Sequence, residues 1–190
     1  MSIDRRPAAA ALSALALAGS LGGCALIGQP ENASAELTEW FTVTSPAFRD
    51  EGELPARFGC RAYAGNGRDG QTPPLRWSGA PTATRSFAIV MDATDSAYVH
   101  WVYAGIDGDK HELVEGTQLD KTVEGLNTGK KAGYTPPCPP KGERHRYRFT
   151  IYALDAPAPF RAGAPLKESL AAIAEHTIGR GRITGNLGDG

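Results

Sequence analysis

Apolar residues in this chain fall into short runs, each ended by proline, glycine or a charged turn. The spacing inside most of the runs is that of strands. Ser86 to Met91 (SFAIVM) is apolar almost throughout over a strand's length, the pattern of a strand covered on both faces. Val99 to Ile106 (VHWVYAGI) is dense in β-branched and aromatic residues and stops at the turn pair Asp107-Gly108. Arg146 to Leu154 (RYRFTIYAL) alternates polar and apolar positions, which buries one face, and ends before Asp155-Ala156-Pro157. Phe41 to Thr44 alternates weakly up to Ser45-Pro46. Helical spacing is confined to Leu166 to His176, with Leu166, Leu170 and Ile173 on one stripe. Gly65 to Pro74 and Leu126 to Gly142 have no period and read as long loops, which in a compact domain usually bind something. The expected fold is mostly β (α+β), one domain over 39–190.

Residues 1–38 follow a different logic. Arg5 and Arg6 precede an apolar stretch from Ala8 to Ala18, then Gly19-Ser20-Leu21-Gly22-Gly23-Cys24. A basic start, a short apolar run and small residues before a cut site describe a secretory signal peptide. The run is too short to span a bilayer, which takes about 20 residues. Pro7-Ala8-Ala9 does not continue a twin-arginine motif after Arg5-Arg6. Leu21 to Cys24 resembles a bacterial lipobox, in which the cysteine is acylated and becomes the first mature residue. The arrangement predicts a signal peptide over 1–23 and a lipidated N-terminus with a polar linker over 24–38. Cys24 would then anchor the protein to a membrane, facing outside the cytoplasm in the cell envelope.

Composition narrows the function. The 190 residues are 41% hydrophobic and 22% charged, with a formal net charge of −1 and a pI near 6.4. A nucleic-acid partner is excluded, since that role shows as a basic imbalance. The 23 glycines and 14 prolines are scattered without a period among aromatic and β-branched residues, which excludes collagen-like and disordered chains. Three cysteines are too few for a disulfide-built miniprotein, and their odd number needs an account.

Several motifs fail on context. Gly65 to Gly70 spells G-x-G-x-x-G, but Gln71-Thr72-Pro73-Pro74 cannot open the helix that would receive a phosphate. His111-Glu112 lacks the second histidine of a zinc-protease helix, Glu115 standing in its place. Asp107-Gly108-Asp109 lacks the further acidic positions of a calcium loop and reads as a hairpin tip. No G-x-S-x-G is present. No cofactor or metal is expected, and no catalytic residue is assigned.

Asp92, His100, His145 and Tyr147 carry the candidate chemistry. His145 and Tyr147 are alternate residues of one strand and share a face. His100 interrupts an apolar strand, where an imidazole needs a partner. Two imidazoles and a phenol can each donate to an oxyanion, and a neighbouring carboxylate can fix a histidine tautomer or accept from a protonated phosphate oxygen. Either histidine alone could be a satisfied core residue. Two histidine-bearing strands with a Pro-rich loop before the second favour a small-anion pocket.

Ordered motifs along the chain add a family resemblance. They are Ser45-Pro46-Ala47-Phe48, Leu54-Pro55, Phe58-Gly59-Cys60, Thr72 to Trp77 (TPPLRW), Gly79-Ala80-Pro81 and Thr84 to Phe87. His100-Trp101, Tyr134 to Tyr147 (YTPPCPPKGERHRY) and Tyr152 to Asp155 (YALD) follow in order. In these the chain resembles the phosphatidylethanolamine-binding protein family, also called Raf kinase inhibitor-like, in its bacterial YbhB/YbcL branch. The resemblance implies a large antiparallel sheet packed on a smaller one, with a C-terminal helix. It implies a pocket lined by Asp92, His100, His145 and Tyr147, with Pro137 and Pro139 shaping its loop. It implies a phosphate-like anion or phosphorylated ligand, phospholipid headgroups included. It also brings Cys60 and Cys138 together near the pocket, as a disulfide in an oxidising compartment.

Two departures stand out. The family's D-P-D-A-P is replaced by Asp92-Ala93-Thr94-Asp95-Ser96-Ala97, so either Asp92 or Asp95 can supply the pocket carboxylate, Asp92 being preferred for its place at a strand end. Pro136 stands where the family has glycine, which removes a backbone N–H from the loop. The function expected is a membrane-anchored, non-catalytic binding protein. Alternatives are an inhibitor of an envelope protease or kinase through surface loops, and a phosphohydrolase using the same His/Asp/Tyr set.

Overall fold

The computed structural model describes residues 40–60, 70–119 and 122–188. The expected signal peptide, Cys24 and its linker, and Gly65 to Asp69 of the glycine motif, lie outside the described residues. In chain order the strands are β1 Thr42–Thr44, β2 Gly52–Glu53, β3 Leu75–Ser78, β4 Ser86–Ala93, β5 Tyr98–Asp107, β6 Glu112–Leu113, β7 Val123–Glu124, β8 Arg144–Leu154 and β9 Thr177–Gly188, with helix α1 at Leu166–His176. Six strands form a large sheet in the order β2-β9-β8-β4-β5-β7, and three form a small sheet, β1-β3-β6. Pairing is antiparallel except for β2 against β9.

The expectation of a two-faced strand at Ser86 to Met91 holds in β4, which runs two residues further. Its odd residues Phe87, Ile89 and Met91 join Trp101, Tyr103, Phe149 and Ile151 in the main core. Val43, Leu75, Trp77 and Leu113 close that core from the small sheet, with Trp77 meeting Phe87 edge-on at 5.2 Å. Ala88 and Val90 face the other way, into a second cluster with Phe160 and Ile173 under α1. On α1, Ile173 is buried while Leu166 and Leu170 pack partly buried beside it, as their spacing predicts.

Two expectations change. The turn at Asp107-Gly108-Asp109 is no hairpin tip, because β5 lies in the large sheet and β6 in the small one. The chain crosses between layers there, with Lys110 N–H donating to the Asp107 carbonyl at 2.9 Å. The longest strand, β9, has no strand signature, because four of its twelve residues are glycine and glycine weakens strands. Packing explains its composition. A Cβ on Gly181 would collide with the carbonyl oxygen of Phe41, and one on Gly185 would press on Leu54 and Phe48 at 3.1–3.2 Å. The missing side chains let the N-terminal segments cross the sheet in contact with its backbone.

Gly181→Ala is therefore expected to destabilise the fold by about 1–3 kcal/mol, the usual cost of overpacking. Urea unfolding measures it, and an unchanged midpoint would contradict the close approach of Phe41.

Candidate functional site

The β4–β5 pairing contains an irregularity that places the first site residue. Met91 pairs with Trp101 and Asp92 with Val99, so His100 is the extra residue of a β-bulge. A bulge turns neighbouring side chains of one strand toward the same side. Trp101 accordingly enters the main core while His100 lines a cleft at the end of the same face, beside Tyr98 at 4.8 Å between ring centroids. On β8 the alternation operates as predicted, and His145 and Tyr147 both face the cleft. Ala93 pairs with Tyr98 on one side and Tyr147 on the other, and its small side chain leaves the space the rings surround. The cleft measures about 290 Å³.

The loop from Tyr134 to Pro140 covers it. Thr135 and His100 bond reciprocally: Thr135 N–H donates to the His100 carbonyl at 3.1 Å, and His100 Nδ1 lies 2.9 Å from the Thr135 carbonyl. A carbonyl only accepts, so Nδ1 carries the proton and Nε2 is the nitrogen left for a ligand. Asn127, almost fully buried, donates to the His100 carbonyl at 3.3 Å and to Thr135 Oγ1 at 2.7 Å. Cys60 N–H reaches the Pro137 carbonyl at 2.8 Å, and Tyr134 OH donates to the Phe58 carbonyl at 2.9 Å. Burial pushes the Tyr134 phenol well above its ordinary value, which keeps it a donor. The disulfide implied by the resemblance is present between Cys60 and Cys138, with Cα atoms 5.3 Å apart.

His100 is 9% exposed. Burial lowers its pKa below the usual 6.5, opposed by the Thr135 bond and by the charge of Asp92, so the ring is neutral at neutral pH. His145 is more open and sits between two carboxylates. Its Nε2 is 2.8 Å from Glu143 Oε2 and its Nδ1 3.7 Å from Asp95 Oδ2.

The preferred carboxylate, Asp92, is not among the residues lining the cleft. It sits one residue before Ala93 on β4 and so points to the other face, where Arg148 grips both oxygens at 3.0 and 2.7 Å. Asp95, on the turn after β4, is the carboxylate beside His145, held there by the Arg146 N–H at 3.1 Å. Pro139 lines the cleft with Pro136 and Pro140, whereas Pro137 turns its carbonyl to Cys60. Tyr98, Ser96, Thr135 and Asn127 belong to the site and are absent from the expectation. Tyr98 was within reach, since alternation from His100 places it on the same face, while Asn127 and Thr135 come from loops that carry no period.

The disulfide closes a chain segment of 78 residues, so Cys60→Ser with Cys138→Ser is expected to lower stability by about 2–5 kcal/mol. Thermal unfolding of the double variant against the oxidised protein measures this, and equal stabilities would contradict it.

Comparison with known proteins places this geometry. Residues 44–188 match the family model described as phosphatidylethanolamine-binding protein. A UPF0098 protein of Methanothermobacter thermautotrophicus is 36% identical over 149 residues, 73% of this chain and 93% of that protein. The "Putative lipoprotein LppC" of Mycobacterium tuberculosis is 32% identical over 205 aligned positions, 98% of each chain. The crystal structure of E. coli YbcL, described as a new member of the mammalian PEBP family, aligns with a TM-score of 0.68 at 28% identity, over 79% of this chain and 99% of that one. With this match along most of its length, and the same two-sheet architecture as its structural neighbours, the chain belongs to the phosphatidylethanolamine-binding protein family.

Proposed function

We propose that the protein is an envelope-tethered, non-catalytic binding protein whose cleft takes a small phosphate monoester carrying an amine. The convergence of His100, His145 and Tyr147 on one headgroup-sized cleft carries this reading. Neutral His100 offers Nε2 as an acceptor, which suits a phosphate oxygen that still bears a proton. Phosphate monoesters lose that proton near pH 6, and burial keeps the ring from gaining one at neutral pH. The complex therefore holds one proton shared between ring and phosphate, whichever side supplies it. Asp95 and Glu143 flank His145 and oppose a bare anion, but they attract an ammonium group on the same ligand.

Binding rather than catalysis is supported by the groups around the cleft. Cys138, the thiol that lines it, is held in the disulfide. The tether is supported by the basic and apolar start ending at Cys24, and by the relative named a lipoprotein, which aligns over nearly the whole chain.

Calorimetry with phosphoethanolamine and inorganic phosphate tests the cleft. Phosphoethanolamine should bind more tightly, and Asp95→Asn with Glu143→Gln should remove the preference. His100→Ala or His145→Ala should each weaken binding about tenfold or more, the worth of a hydrogen bond to a charged group. If no phosphate compound binds the wild type saturably, the reading fails.

The pH dependence has a defined sign. The free ring titrates below 6.5 and the bound complex retains the proton, so affinity should rise as pH falls from neutral toward that lowered value. An affinity independent of pH between neutral and mildly acidic conditions would contradict the shared proton.

A further inference from the structure

We propose that Trp40, Arg180 and Arg182 form a second binding surface, remote from the cleft chemistry, that docks the domain on the anionic headgroups of a bilayer. From Arg144 to Tyr152 on β8 and from Arg180 to Asn186 on β9, the even-numbered residues occupy the face of the large sheet turned away from the small sheet. Register pairs Arg148 with Thr184, Thr150 with Arg182 and Tyr152 with Arg180, while Phe149, Ile151 and Ile183 point into the core. Arginines thus form a ladder on that face, and most of their charge is spent within the molecule. Arg144 meets Glu53 at 2.6 Å, Arg146 meets Glu51 at 2.7 Å, and Arg148 meets Asp92 at 2.7 Å.

Arg180 and Arg182 differ. Among the described residues no carboxylate pairs with either, and Arg180 Nε is buried without a hydrogen-bond partner. Both guanidinium groups instead lie over the ring of Trp40, at 4.6 and 5.2 Å from its centroid. Trp40 is 51% exposed, a large aromatic left open to solvent. It is no loose end, since it bridges to Arg180 and the next residue, Phe41, donates its N–H to the Arg180 carbonyl at 3.1 Å.

An exposed indole flanked by two arginines that no carboxylate pairs among the described residues is complementary to one kind of surface. Indoles settle at headgroup depth, and guanidinium groups bind phosphate oxygens in pairs. The net charge of −1 gives the whole molecule no attraction to an anionic membrane, so the attraction has to be local. Position agrees. Trp40 lies sixteen residues after Cys24 in the chain, so a tether at Cys24 would keep this surface within reach of a bilayer. The inference uses the tether for placement only, and its test separates the two.

The mature protein, purified from the envelope, is reconstituted with vesicles of equimolar phosphatidylcholine and brominated phosphatidylglycerol, or of brominated phosphatidylcholine alone. Bromine quenches tryptophan on contact, and Trp77 and Trp101 are buried. Quenching is expected with the anionic vesicles and not with the zwitterionic ones, and Trp40→Phe should abolish it. Arg180→Gln with Arg182→Gln should weaken docking about 30-fold, roughly fivefold per arginine. Molar salt should reverse the quenching in the wild type, a control that involves no substitution. Quenching that is absent, equal on both vesicles, or indifferent to salt and to the double variant would overturn the proposal, as would docking onto a protein partner with no lipid contact. The intact mass reports acylation of Cys24 separately. Docking without acyl chains removes the tether and keeps the surface, whereas acylation without quenching does the reverse.

Discussion

A proline-rich loop has few N–H groups with which to hold itself, and the stretch Tyr134 to Pro140 is held by bonds made from outside it. Its anchors are the bulged residue of β5, the Cys60 backbone and sulfur, and the Phe58 carbonyl. The bond between His100 and Thr135 does two things at once. It fixes the cover of the cleft, and it decides which imidazole nitrogen a ligand meets. Asn127 reinforces the arrangement by donating to both residues. Cover and chemistry are therefore one unit, because moving the loop would also free the tautomer of His100.

What could be read from the sequence depended on whether local pattern or tertiary pairing set the outcome. β8 was legible because alternation alone orients His145 and Tyr147. β4 was legible because burial on both faces leaves an uninterrupted apolar run. The face of His100 was not, since it depends on a bulge, and a bulge is a relation between two strands. Asp92 and Asp95 could not be separated for the same reason. Asp92 points to the opposite face from Ala93, where Arg148, a cross-strand neighbour 56 residues away, holds it. β9 was invisible because its glycines answer to Phe41, Phe48 and Leu54, which lie more than a hundred residues earlier.

The charges follow a common scheme. On the outer face of the large sheet, arginines are matched by carboxylates from β2, its preceding turn and β4, and the exposed pairs Arg144–Glu53 and Arg146–Glu51 add little to stability. Their effect is to hide positive charge, so that Arg180 and Arg182, unpaired with any carboxylate among the described residues, stand out on that face. At the cleft the balance is inverted, with buried neutral His100 inside and two carboxylates near the rim. A near-neutral chain thus keeps two separate local fields of opposite sense.

The position of β9 also governs the order of events in folding. It is the last strand in the chain, yet it lies inside the large sheet between β2 and β8, pairing parallel with the first segment to join that sheet. A chain emerging N-terminus first, whether from a ribosome or through a membrane channel, holds the Gly52 region unpaired until β9 has followed it out. Such closure is non-local and intrinsically slow. Until then the aromatic residues around Phe48 and Phe149 have no complete lid. Loss of β9 would take away a wall of the core, with Ile183 and Leu187 in it.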